Sequence, residues 1–214
     1  MATFIILGSR ETFASFVTII NPSFEDPGLS PSGYSSSIPG WTVGNAGVWN
    51  PWSFEFSNIP DGTQVGYDNV GTVSQTLTTE LLPNTTYTLS ISVGGRADGS
   101  NPGTDYAIGL YGGANLLASV TPVRPPTGSW TDLTTTFTSG AIVTPGTLLG
   151  ISISNLNPPG SPFDTQLDFD NVSLTATPVP EPTTIISGSL MLLPFGASTL
   201  RILRRRVPTT PTTI

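Results

Sequence analysis

Cysteine, histidine and lysine are all missing from this chain of 214 residues. Without cysteine there is no disulfide, no thiol nucleophile and no thiolate metal site. Without histidine the commonest general base and the commonest transition-metal ligand are gone, and with them an ordinary Ser-His-Asp triad. Without lysine neither Schiff-base chemistry nor a P-loop is available. Charge is scarce too, at 10% of residues, yet 37% are hydrophobic. Sustained apolar alternation separates this profile from a disordered one. The chain is rich instead in turn-formers, with 23 Gly and 21 Pro.

The charge is unevenly divided. Residues 1–180 carry three Arg against thirteen Asp or Glu, and residues 181–214 carry four Arg against one Glu. An acidic body argues against nucleic-acid binding, which needs a basic footprint. It suits an exported protein, or one that binds neutral sugars or calcium. The N-terminus fits export poorly, because residues 2–8 are apolar but short and Arg10-Glu11 interrupts them. A signal peptide needs a basic start and an apolar core of about 7–15 residues. The expectation is that residues 1–15 are the remnant of a truncated leader.

Short β-prone runs between turn signals predict an all-β jelly-roll β-sandwich over residues 16–175. Residues 86–93 are the cleanest strand, with Tyr87, Leu89, Ile91 and Val93 alternating with Thr88, Ser90 and Ser92. That period of two marks one buried and one solvated face. Runs at 106–111, 116–120, 130–138, 149–153 and 166–175 continue the pattern, with Gly112-Gly113-Ala114-Asn115 as a hairpin turn. A Pro- and Thr-rich linker follows at 176–184. The charge-free stretch from 182 to 200 predicts a transmembrane helix over 185–203, since about 20 apolar residues span the hydrocarbon core. Arg204, Arg205 and Arg206 would hold the tail 204–214 on the cytoplasmic side.

The tail carries Val179-Pro180-Glu181-Pro182, then the apolar stretch, then Arg204 to Arg206. This order resembles the PEP-CTERM sorting signal of Gram-negative bacteria. The resemblance implies recognition by exosortase, a membrane transpeptidase. In the body, Asn21-Pro22-Ser23-Phe24-Glu25, Ile38-Pro39-Gly40-Trp41, Asp61-Gly62, Ser74-Gln75-Thr76-Leu77 and Phe169-Asp170-Asn171-Val172 occur in that order. This is similar to galactose-binding-like jelly rolls, including carbohydrate-binding modules. It implies a sandwich, often with a structural calcium joining the first and last strands.

The residues supply an argument for calcium of their own. Regular alternation puts Asp168, Asp170, Val172 and Leu174 on one face, so Asp170 would enter a buried region and meet Glu25. A buried carboxylate is costly unless paired or bound to a cation, and calcium takes oxygen ligands. Glu25, Asp168 and Asp170 are the metal candidates. The alternative is a β-bulge at Asp170-Asn171 that turns both acids to solvent. Trp41 and Trp130 are expected in the core, whereas Trp49 and Trp52, beside Asn50 and Pro51, suit an exposed platform for sugar stacking. A glycan-active enzyme would need two carboxyls about 5–10 Å apart in a cleft, drawn from Asp164, Asp168 and Asp170 or from Glu55, Asp61 and Asp68. The resulting expectation is a non-enzymatic, exported surface or biofilm-matrix protein, sorted by exosortase and binding exopolysaccharide. A structural envelope protein and a membrane-anchored glycan-active enzyme are the alternatives.

Overall fold

A computed structural model describes residues 13–157 and 165–180. Ten strands and no helix occur among these residues: β1 (Ser15–Phe16), β2 (Tyr34–Ser35), β3 (Asn45–Trp49), β4 (Val65–Glu80), β5 (Thr85–Gly95), β6 (Tyr106–Gly112), β7 (Asn115–Ser119), β8 (Ser129–Thr138), β9 (Leu148–Asn155) and β10 (Leu167–Pro178). The architecture is all-β and jelly-roll-like. β4 is unusually long, at 16 residues. Gly71, at φ +116°, lets β4 change partners there. Its first half pairs with β3 and β10, and its second half with β9. The result is two hydrogen-bonded layers, β2-β3-β4-β10-β5-β8 and β4-β9-β6-β7.

The apolar side chains of the two layers form one core. Leu89, Ile91, Val93, Phe169 and Leu174 from the first layer join Val73, Ile108, Leu110, Ile151 and Ile153 from the second. Phe169 is the centrepiece of the first layer. Its ring meets Phe24 edge-on at 5.0 Å and lies over Gly66, where an added Cβ would come within 2.3 Å of the ring. Trp41 sits in this core as expected, its Nε1 donating to Ile20 O at 2.8 Å.

One boundary meets a different outcome. Residues 176–178, read as linker, continue β10, where Ala176, Thr177 and Pro178 face Tyr87, Thr86 and Thr85. Pro178 is tolerated there because it ends the ladder. No helix among the described residues is long and apolar enough to cross a membrane. The expected span 185–203 and tail 204–214 lie outside the described residues, as does most of segment 1–15.

The Phe169–Gly66 contact gives a direct test of the core. Phe169→Ala should cost about 3–5 kcal/mol and Gly66→Ala about 1–3 kcal/mol, both read by urea unfolding. A Gly66→Ala variant as stable as the parent would show that the close approach is unimportant.

Candidate functional site

β10 does not alternate regularly. Asp170 faces Ser92 on β5, but the next partner of Ser90 is Ser173, so one extra residue is inserted. Asn171 takes the left-handed conformation at φ +53° that such a bulge requires. Leu174, beyond the bulge, points into the core with Leu89. Asp168 and Asp170, before it, therefore lie on the opposite face. They are nevertheless fully buried. The expectation that both acids share the face of Val172 and Leu174 fails because of this bulge. The alternative outcome, exposure, fails because other residues cover the face.

Residues directly opposite in an antiparallel pair place their side chains on the same face. One row across the first layer thus reads Trp130, Gly94, Asp168, Tyr67, Gly47. Trp49, two residues along β3, joins this face. A second apolar cluster forms on it from Trp49, Phe56, Val65 and Tyr67, with Ile59 and Trp130 packed alongside. Gly94 makes room for it, because a Cβ there would come within 2.9 Å of both the Phe56 and Trp130 rings. Phe56 lies 4.6 Å from Trp130, and Trp49 lies 6.4 Å from Phe56 and 6.3 Å from Trp52.

Asp168 shares the face of these rings and is bonded to one of them. Its Oδ1 accepts the Trp49 Nε1–H at 3.1 Å, while the buried Oδ2 has no hydrogen-bond partner. Burial pushes its carboxyl up to about 8, against the opposing pull of Arg96 and the Trp49 hydrogen bond. Arg96 lies against the same indole, with its guanidinium carbon 4.8 Å from the ring centroid. Burial also raises Tyr67, whose hydroxyl donates to Ser35 O at 3.4 Å.

The metal candidates gather elsewhere on this face. Glu25 Oε1 accepts the Thr63 and Gln64 N–H groups at 2.7 and 2.6 Å, and Oε2 accepts the Thr63 hydroxyl. Asp170 accepts the Asp61 and Asn171 N–H groups at 2.9 and 2.7 Å. Its carboxyl is raised to about 8 by burial, with the Asp61 and Glu25 charges adding to the rise. Asp168 is engaged with Trp49 instead. Among the described residues no group of three or more His, Cys, Asp or Glu is placed to hold a metal.

The tryptophans divide differently from the expected platform. Trp49 is buried, whereas Trp52 is half exposed and stacks on the exposed Phe54 at 5.9 Å. Trp130, expected in the core, belongs to the Asp168 face. The carboxyls of the alternative glycan-active reading are engaged elsewhere. Glu55 is ion-paired to Arg96, and Asp68 faces the core opposite Leu167, with its Oδ2 accepting the Asn155 N–H. Asp164 lies outside the described residues. Arg96 went unnoticed in the sequence because Gly94-Gly95 before it reads only as a loop start.

The sequence profile of the HpiC1-like family, described as HpiC1 cyclase, matches residues 15–175. The chain belongs to the HpiC1-like cyclase family. Solved cyclases share its fold. A Stig cyclase, Fisc, from Fischerella sp. TAU in complex with (3Z)-3-(1-methyl-2-pyrrolidinylidene)-3H-indole is 26% identical, with a TM-score of 0.64 over 78% of this chain and 100% of that one. An apo cyclase from Fischerella sp. is 28% identical, with a TM-score of 0.65 over 78% and 98%. A cyclase from Fischerella sp. TAU in complex with 4-(1H-indol-3-yl)butan-2-one is also 28% identical, with a TM-score of 0.64 over 78% and 100%. No curated protein matches this chain.

Membership of this family replaces the expectation of a non-enzymatic surface protein. The matched domain is that of an enzyme family acting on small molecules, not of a PEP-CTERM protein with a carbohydrate-binding body. Exosortase and exopolysaccharide are accordingly withdrawn as partners, as are the biofilm role and the glycan-active alternative. The tail resemblance rested on a short pattern with little sequence information, whereas the family match spans the domain. Val179 and Pro180 follow β10, while Glu181, Pro182, Arg204, Arg205 and Arg206 lie outside the described residues.

The raised carboxyls give a signed pH prediction. A carboxyl whose folded value lies above its ordinary 3.8 contributes stability that is present below that value and lost as pH rises through about 8. Measured in calcium-free buffer, Tm should fall between pH 5 and pH 9. The fall should shrink in Asp168→Asn and shrink further in Asp168→Asn with Asp170→Asn, leaving the part due to Asp68, which burial also raises. A parallel fall in the double variant would contradict this assignment.

Proposed function

We propose that this chain cyclises an indole-bearing small molecule by general-acid catalysis, with Asp168 as the acid. The observation that carries the reading is the geometry of Asp168: buried, held at Oδ1 by the Trp49 N–H, and unpartnered at Oδ2 on the face that carries a cluster of aromatic rings. A carboxyl kept neutral near pH 7 is a competent proton donor. The indole ligands named for two structural neighbours support the substrate class.

The proposed step balances without a cofactor. Oδ2–H delivers its proton to an unsaturated carbon in the chain attached to the indole, forming a C–H bond and a cation. The faces of Phe56 and Trp130 stabilise that positive charge. An indole carbon, acting as the π-nucleophile, closes the ring through a new C–C bond. Loss of a proton back to the Asp168 carboxylate restores the acid. The net reaction is an isomerisation, so substrate and product have equal mass.

Calcium belongs to a second part of the proposal. Glu25 lies before β2 and Asp170 on the last strand. Both offer hard oxygen ligands, and neither forms an ion pair among the described residues. With backbone carbonyls completing the shell, a calcium ion would relieve the mutual repulsion of Glu25, Asp61 and Asp170. Its contribution is structural, tying the first loop to β10 beside Asp168.

Two measurements test these readings. Calorimetry should detect binding of 4-(1H-indol-3-yl)butan-2-one. With indoles carrying an unsaturated chain, chromatography should resolve an isomeric product, and Asp168→Asn should lower its rate by about 10²–10⁴-fold. Absence of indole binding, or full activity in Asp168→Asn, would sink the cyclase assignment. For calcium, an excess about 100-fold over Kd should raise Tm by roughly 5–10 °C. Glu25→Gln and Asp170→Asn should abolish that rise, and an unchanged melting curve in chelator would refute the ion.

A further inference from the structure

The cyclase reading leaves one buried cation without a role. Arg96 immediately follows β5, and its side chain is only 11% exposed. Burying a guanidinium is costly unless its donors and charge are matched. Here they are matched on several sides. Nη2 pairs with Glu55 at 3.5 Å and with Asp98, and Nη1 donates to Gln166 Oε1 at 3.1 Å. Nε alone has no hydrogen-bond partner. The guanidinium lies over the ring of Trp49, whose Nε1–H points at Asp168.

The surroundings hold Arg96 as firmly as Arg96 holds the ring. The Ala97 N–H donates to Glu55 O at 2.9 Å, and the Asp98 N–H donates to Glu55 Oε2 at 3.4 Å. The Glu55 N–H in turn donates to Trp52 O at 3.0 Å, and Trp52 meets Trp49 edge-on. The loop after β5 and the segment after β3 are thereby fastened to each other around the indole.

We propose that Arg96 is a positioning residue of the cyclase. Clamped by Glu55, Asp98 and Gln166, its guanidinium holds the Trp49 ring so that the indole N–H stays on Asp168 Oδ1 and leaves Oδ2 without a protein partner. This rests on the reading of Asp168 as the acid. An indole has two side-chain torsions, and a cation on its face opposes rotation about both. The cation also draws density from the ring, making the N–H a stronger donor. With Oδ1 committed to the indole, the proton of the neutral carboxyl sits on Oδ2, which has no other partner. Arginine suits this position because its planar fork can stack on a ring while donating to several acceptors, which an ammonium cannot do.

Hydrogen exchange of the indole N–H groups in the ¹⁵N-labelled protein tests the clamp without any substrate. Trp49→Phe assigns the signal, and the Trp41 Nε1–H, bonded to Ile20 O in the core, is the internal control. Arg96→Met should speed exchange at Trp49 by about tenfold or more and move its resonance upfield, with Trp41 unchanged. Arg96→Lys should restore part of the protection, because the cation returns without the fork. Glu55→Gln, which keeps the guanidinium but loosens its clamp, should give a smaller acceleration. Unchanged exchange at Trp49 in Arg96→Met with Trp41 intact would overturn the proposal. If Arg96→Met also exposes Trp41, Glu55→Gln decides, and unchanged Trp49 exchange there counts against the clamp. Full turnover in Asp168→Asn would instead defeat the acid assignment while leaving this measurement of the Arg96–Trp49 contact intact.

Discussion

One inserted residue in the last strand determines which side of the first layer carries chemistry. Asn171 takes a left-handed conformation, and the β10 ladder slips by one position between Asp170 and Ser173. Without that slip, the side of β10 that buries Leu174 in the core would also carry Asp170 and Asp168. The carboxyls would then lie between the layers among Leu89, Ile91 and Ile151, with no room for a ligand. With the slip, Phe169 takes the core position and the acids turn to the far face. A bulge next to a functional site is a common way to re-aim one side chain while the rest of a strand keeps its pairing. Here it lets a single strand serve both a hydrophobic core and a polar site.

Turning the acids outward does not solvate them. Asp168 is fully buried, bonded to the Trp49 N–H on the same face as Phe56, Tyr67 and Trp130, and Gly94 allows two of those rings to lie close to the sheet. Removing a carboxylate from water costs more than one hydrogen bond returns, so the neutral form gains. Arg96 opposes that gain, yet Glu55 and Asp98 compensate most of its charge. The guanidinium therefore orders the indole without fully ionising the acid. This balance explains why a cation and a protonated carboxyl can sit against the same ring.

Much of the fold was legible because alternation is a strong signal. The runs around Thr86, Tyr106, Trp130 and Leu149 all became strands near the expected positions. The bulge was legible only as an alternative, since nothing local requires Asn171 to adopt a positive φ. Asp168 and Asp170 stand out in the sequence as carboxylates in a β-prone apolar run, and both are buried; that Asp170 lies near Glu25 while Asp168 meets Trp49 is decided by the tertiary fold. Trp49 and Trp52 lie three residues apart and look equivalent in sequence. Their burial differs because Trp49 ends β3, inside the sheet, while Trp52 lies beyond it. Arg96 follows two glycines in a loop, and only the tertiary fold brings it to Trp49 and Glu55.

The missing residue types also acquire a different meaning. A chain without histidine or cysteine seems poorly equipped for catalysis if catalysis is equated with a base near neutrality or a nucleophile. Proton donation needs neither. It needs one acid that remains protonated at working pH, and burial supplies that from an ordinary aspartate. A reaction that proceeds through a cation also gains from few nearby nucleophiles, because each hydroxyl or amine beside the cation is a competing trap. The Phe56 and Trp130 rings on the face of Asp168 stabilise positive charge without offering a lone pair for capture. Scarcity of charge is thus compatible with an enzyme, provided that the one decisive carboxyl is buried and one of its oxygens is kept free.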